Sequence, residues 1–190
     1  MTNNCSSELD PVPQRVTSKR LLIRPTQRDD ASLLKKWWND PDLTDSGGSH
    51  AGMHYDDEDM EDWFRRYVDD RDCHTHFIIT LRDANRPIGE FYIASDDRPG
   101  CIGIALVIGE AALWGQGYAS EALRAYAAAV FNAGDCGAIR VDVAADNRRA
   151  VRMCEKVGFE VEHVWANNRF MTMILTKEAF QNQTQPHTDT

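Results

Sequence analysis

The chain is 190 residues long with 42% hydrophobic residues, enough for one core and short of two. Its net charge of −9 is concentrated in one place: between Asp40 and Asp72 twelve acids stand against three bases, and the remainder is neutral. That balance argues against a nucleic-acid surface, which needs a basic stripe, and favours a cationic partner.

No apolar run approaches the roughly 20 residues of a membrane span. Met1 to Asp10 also lacks a basic-then-apolar leader pattern, so a cytoplasmic protein with no membrane association is expected. The five cysteines, Cys5, Cys73, Cys101, Cys136 and Cys154, are scattered without a Cys-x-x-Cys pair, and are expected to be reduced. Cys73, His74 and His76 invite a metal reading, but on an extended chain His74 and His76 share a face with no further ligand group in evidence. No metal is expected.

In chain order, residues 1 to about 15 and 181 to 190 are polar and read as disordered tails around one domain over 16 to 180. Arg20 to Arg24 reads as a strand, and Asp29 and Asp30 then cap a helix through Leu33, Leu34, Trp37 and Trp38 that stops at Asn39-Asp40-Pro41. A Gly-rich loop over Ser46 to Ser49 leads to a second helix, about Asp57 to Val68, with Met60, Trp63, Phe64 and Tyr67 at helical spacing. Strands follow at His76 to Leu81, Ile88 to Ala94 and Cys101 to Ile108. The pattern then switches to a helix reaching about Ala133, a strand Ala138 to Ala144, a helix Arg148 to Val157, and strands near Glu160 to Trp165 and Arg169 to Thr176. Antiparallel strands ahead of a β-α-β-α-β half predict an α+β fold, a mixed and mostly antiparallel sheet flanked by helices. The C-terminal strands are where two subunits of a homodimer would pair.

Gly115 and Gly117 fall between the third of these strands and the long helix. Two glycines let the backbone turn its N–H groups toward one point, and with the helix dipole they form an anion site suited to a pyrophosphate. The alternative is a connector that only positions the helix. The sequence is neither a Walker loop nor a dinucleotide G-x-G-x-x-G, since Gly-Lys-Ser/Thr is absent and position 120 is Ser.

Together, Trp114-Gly-Gln-Gly-Tyr-Ala119 and Asn147-Arg-Arg-Ala-Val-Arg-Met-Cys-Glu-Lys-Val-Gly-Phe159 resemble the GNAT superfamily of acetyl-CoA-dependent N-acetyltransferases. The likeness spans about Arg20 to Thr176. The first string looks like the subgroup that acetylates ribosomal-protein N-termini, and the second also looks like aminoglycoside 6'-acetyltransferases. The family loop reads Gln/Arg-x-x-Gly-x-Gly/Ala; Trp114 stands at its first position.

The resemblance implies acetyl-CoA as co-substrate, with Leu106, Val107 and Ile108 pairing their backbone with the pantetheine arm. It implies that Trp114, Gly115, Gln116, Gly117, Tyr118 and Ala119 hold the pyrophosphate through backbone N–H groups. Asn147 would bond the pantetheine side, cap the next helix, or do both. Many members carry a Tyr acid where this chain has Cys154, which reads as a buried structural thiol, a proton donor or an acetyl carrier. Glu90, a carboxylate in the apolar run Ile88 to Ala94, reads either as the base that deprotonates the amine or as a solvated side chain; Glu110 and the acids of the second helix compete for that role. Trp37, Trp38 and Trp63 read as core or lid. The expected activity is direct acetyl transfer in a ternary complex to a primary amine, either a protein N-terminus or a small cationic amine such as an aminoglycoside or polyamine. The alternative is a non-catalytic acyl-CoA-binding module or sensor.

Overall fold

The structure is a computed structural model that describes residues 12–44, 53–69, 74–134 and 136–184. Cys73, the Gly-rich loop at 46 to 49, and Asp45, Asp70 and Asp72 of the acid-rich stretch lie outside the described residues.

Strands β1 (Val16–Thr17), β2 (Leu21–Pro25), β3 (His74–Leu81), β4 (Arg86–Ser95) and β5 (Cys101–Ile108) are successive antiparallel neighbours. β6 (Ala138–Ala144) pairs with β5 in parallel, β8 (Phe170–Thr176) pairs with β6, and β7 (Glu160–Trp165) forms the far edge, giving the order β1-β2-β3-β4-β5-β6-β8-β7. The α+β fold with a mixed, mostly antiparallel sheet is as the sequence implies.

Alternation along the strands gives the sheet two covered faces. Phe77, Phe91 and Leu106 stand opposite one another in the ladder and face α4 (Tyr118–Ala133) and α5 (Arg148–Val157). There Tyr126 packs on Phe91 and Phe77 with ring centroids 4.6 and 5.6 Å apart. One residue along, Ile78, Glu90 and Val107 point the other way, toward α1 (Ala31–Trp38) and α3 (Asp57–Phe64). The second core is built from Leu34, Trp37, Trp38, Met60, Phe64 and Ile78. A four-residue helix, α2 (Pro41–Thr44), follows α1 where the sequence predicts only a stop.

α3 begins with a reciprocal cap. The Asp56 carboxylate accepts from the amides of Glu58 and Asp59, and Asp59 accepts from the amide of Asp56; such a box contributes about 1 kcal/mol. The helix is shorter than the spacing predicts, ending at Phe64 and widening into a π turn over Arg65–Asp69. The apolar spacing of Met60, Trp63, Phe64 and Tyr67 is the same for either winding until a tertiary partner is known. Here that partner is His76, whose ring meets both Trp63 and Tyr67.

Residues 12–15 and 181–184, which the sequence assigns to polar tails, are packed on the domain. Val12 is buried and the Tyr126 hydroxyl donates to the Pro13 carbonyl at 3.0 Å, so the chain is docked from residue 12. A last helix, α6 (Lys177–Thr184), buries Phe180 against Phe131. One apolar anchor in a polar stretch leaves no periodicity to read. Among the described residues, no helix is long and apolar enough to cross a membrane.

Candidate active site

The parallel β5/β6 pair is short. Its ladder runs Cys101 to Ala138, Ile102 to Ile139 and Gly103 to Arg140, then stops, although both strands continue. On its other side β5 stays paired with β4 from Ile102 through Ile108. A gap therefore opens beside Ile104–Ile108, where the sheet offers main-chain groups without a strand to receive them. Leu106, Val107 and Ile108 lie there, but the Ile108 carbonyl is already engaged by the Trp114 indole N–H at 2.6 Å.

After β5 the chain turns under α1. A Cβ on Gly109 would lie 2.3 Å from the Trp37 ring, so only glycine lets that indole lie against the backbone. Trp37 Nε1 and Lys36 Nζ both donate to Glu110, at 3.1 and 2.9 Å. The Lys36 and Trp37 hydrogen bonds hold the Glu110 carboxyl below its ordinary pKa. Glu110 thus braces α1 to the turn.

The glycine loop comes next. The Trp114 amide donates back to Ala111, so it is not available as a phosphate donor; its side chain fixes the turn instead. Gly115 and Gly117 both have left-handed φ, 75° and 82°, which bulky L-residues avoid. The first bond of α4 runs from the Glu121 amide to the Gly117 carbonyl, and no side chain caps the helix. The amides of Tyr118, Ala119 and Ser120 therefore have no intrahelical acceptor, and they stand at the positive end of a 16-residue helix. The Gln116 side chain bonds the Ala112 carbonyl, while its own carbonyl accepts from Arg20.

Two guanidinium groups flank this loop that its motif does not announce. Arg20 lies 4.1 Å over the Tyr118 ring and is held by Glu121, with Nε to Oε2 at 2.6 Å. Arg149, in the first turn of α5, lies 4.1 Å over the Trp114 ring. Sequence reasoning gave Arg20 only the start of a strand and Arg149 no role, because both reach the loop through the fold. Asn147 caps α5, accepting the Ala150 amide at 3.1 Å, and stands beyond the end of β6 where the gap widens.

Glu90 faces the second core next to the gap, opposite Val107 in the ladder. It is only 6% exposed, which rules out the solvated reading. The indole N–H of Trp38 lies 2.9 and 3.0 Å from its two oxygens. Burial pushes the carboxyl up to about 7, and the Trp38 hydrogen bond opposes that rise. Gly89, just before it, brings β4 and β5 together so closely that a Cβ would meet the Val107 carbonyl at 2.2 Å. Around Trp38 stand Tyr55 and Trp63, with His76 and Tyr92 beyond, as a continuous run of ring contacts. Trp38 and Trp63 are packed components of this wall, and Trp37 is buried beside it in the same core.

Cys154 is 1% exposed in the α4 core, and burial pushes its thiol up to about 12. So buried a thiol makes a poor donor or nucleophile, and of its three readings the structural one is what this packing supports. His76 belongs to the aromatic wall, and among the described residues no three His, Cys, Asp or Glu side chains gather as a metal site. The acids of α3 are exposed, and several carry partners: Asp57 with Lys35, Glu61 with Arg28, and Asp62 with Arg65.

Comparison with known proteins places this geometry. Residues 20–160 match the family model described as the acetyltransferase (GNAT) domain. A search of curated protein sequences finds no match. Among solved structures, aminoglycoside acetyltransferase AAC(6')-Ib in complex with coenzyme A shares 23% identity over 87% of this chain and 99% of that one, with a TM-score of 0.74. A GNAT-family acetyltransferase from Bacillus anthracis shares 19% over 86% and 99%, TM-score 0.73. Spermidine N-acetyltransferase from Vibrio cholerae, with CoA and spermine, shares 17% over 87% and 100%, TM-score 0.72. At these identities the likeness is one of fold.

Proposed function

Since the chain belongs to the GNAT acetyltransferase family, we propose that it moves an acetyl group from acetyl-CoA to a primary amine by direct attack within a ternary complex. The observation that carries this reading is Glu90, a buried carboxylate with a pKa near 7, held beside the unpaired run of β5.

Acetyl-CoA supplies an activated acyl thioester. The chain's own groups do the rest. The gap beside Leu106 and Val107 receives an extended amide-bearing arm as an added strand would be received. The amides of Tyr118, Ala119 and Ser120, with the left-handed turn at Gly115 and Gly117, form a cradle for a pyrophosphate. Arg20 and Arg149 add positive charge at its rim, and Arg149 on Trp114 restores a cation where the family loop commonly has Arg or Gln. Asn147 is positioned for the pantetheine arm while it caps α5. Glu90 accepts the proton of the attacking ammonium, directly or through a water, so that nitrogen forms its bond to the acyl carbon as the C–S bond breaks. The departing thiolate takes its proton from solvent, since Cys154 is sealed away.

The acceptor approaches from the α1/α3 side. The acids of α3 and the wall of Trp38, Tyr55 and Trp63 support a cationic amine, and the aminoglycoside and spermine neighbours act in the same sense. A protein N-terminus is the other amine the sequence likeness suggests. A cytoplasmic setting agrees with the free thiols Cys101, Cys136 and Cys154.

The test is release of free CoA thiol in the presence of spermidine, several aminoglycosides and peptides with varied N-termini. We expect amine-dependent release with a cationic small molecule as the best acceptor. Tight acetyl-CoA binding with no amine-dependent release would put the non-catalytic binding module ahead.

A further inference from the structure

We propose that Trp38 is a positioning residue for Glu90: its indole N–H, shared between the two carboxylate oxygens, fixes the carboxylate beside β5 and favours its ionised form. This rests on the reading of Glu90 as the base.

An indole N–H can only donate, so it rewards an acceptor and gives nothing to the proton of a neutral carboxylic acid. Trp38 and Glu90 are 2% and 6% exposed, and water does not compete effectively for that bond. The indole itself is held against Tyr55 and Trp63, at centroid distances of 5.1 and 4.8 Å. Its neighbour Trp37 donates to Glu110, in the turn that leads to the glycine loop. Two adjacent tryptophans on α1 therefore reach two carboxylates: one fastens the helix to the β5 turn, and the other sets the base.

The other titratable or charged groups on this face come from each packed element. β2 supplies Arg24, tied by two 2.8 Å bonds to Asp30; β3 supplies His76; and β4 supplies Tyr92. Tyr55 precedes α3, with its hydroxyl raised first by burial and then by Asp59 of α3; Tyr67 comes from the π turn, and Lys35 and Lys36 of α1 are paired with Asp57 and Glu110. β5 contributes only Ala105 and Val107. Of these, His76 alone has an ordinary titration range overlapping that of Glu90.

Labelling the five tryptophans with 15N gives a readout independent of turnover. The Trp38 indole resonance is expected to titrate with a midpoint near 7 and to stop titrating in Glu90→Gln, which separates Glu90 from His76. Trp38→Phe is expected to move the rising limb of the kcat/KM profile up by about one pH unit, a loss of about tenfold on that limb that is recovered at high pH, with KM for acetyl-CoA unchanged. A loss equal at every pH overturns the proposal. So does a flat Trp38 resonance in a protein that Glu90→Gln inactivates, and this measurement stands even if Trp38→Phe does not fold. Activity retained in Glu90→Gln removes the base reading itself, an outcome distinct from a flat Trp38 resonance in the wild-type protein.

Discussion

Burial and a single indole hydrogen bond pull Glu90 in opposite directions, and the balance leaves it half ionised near neutral pH. Two consequences follow for Glu90→Gln. The rate is expected to fall by about 10²–10⁴, and the wild-type limb rising through about pH 7 should vanish from kcat/KM profiles. Stability moves the other way. A carboxyl whose folded pKa is raised is favourable to folding below its unfolded value near 4.5 and loses that advantage as pH rises toward about 7, a change of roughly 3 kcal/mol for a fully buried group. The melting temperature of the variant relative to wild type should therefore climb across that window; a constant difference would count against the raised pKa. The oddity of Glu90 was legible as a carboxylate in an apolar run. Its burial was not, because alternation says which face a side chain takes and not what covers it, and the cover is Trp38, 52 positions away in sequence. Cys154 shows the converse: an apolar helix position predicted a buried thiol, and the fold supplies only burial.

Elements are more legible than contacts. The strands over 101–108, 138–144 and 160–165 and the helices ending at 133 and 157 have the predicted bounds, most because they carry an apolar period and a clear terminator, and the exposed strand 160–165 because its β-branched residues lie between two turns. Short or single-anchor elements escape that logic: β1 has two residues, α2 four, and α6 one buried aromatic. The start of α4 makes the sharpest prediction at this scale. Gly117 sits at φ 82°, and a Cβ there would meet nothing closer than 3.7 Å, so the backbone conformation and not space demands glycine. Gly117→Val forces a β-branched residue out of that region, costs about 1–3 kcal/mol if the turn is kept, and otherwise swings the Tyr118 to Ser120 amides away. Calorimetry should show acetyl-CoA binding lost while the circular dichroism of the folded protein is kept; unchanged affinity would remove the loop from the site. The glycine pair could be read from its place between strand and helix, and Asn147 from the family resemblance and its place before a helix. Arg20 and Arg149 could not, since no local pattern says that either will end on an aromatic ring of the loop.

Across the whole molecule the sheet has α4 and α5 on one face and α1 with the acid-bearing α3 on the other, the two sides to which the proposed function assigns donor and acceptor. Local neutralisation tempers the acid-rich stretch, yet the molecule keeps a net charge of −9. KM for a polycationic acceptor is therefore expected to rise several-fold between about 0.05 and 0.5 M salt with kcat little changed, while a singly charged amine changes less. Equal salt dependence for both would assign those acids to solubility alone. The charge segregation was visible in the sequence; which acids are tied up by Lys35, Arg28 and Arg65 emerges only from the fold. The short β5/β6 seam has a mechanical meaning as well. Only three residue pairs join a five-strand panel to a three-strand panel, so the seam is where local opening of the sheet is expected to cost least. An extended molecule laid into the gap from Ile104 upward would act as a rivet across that line. On the proposed reading, the cleft for the donor is then a line of weakness while empty and a brace when filled.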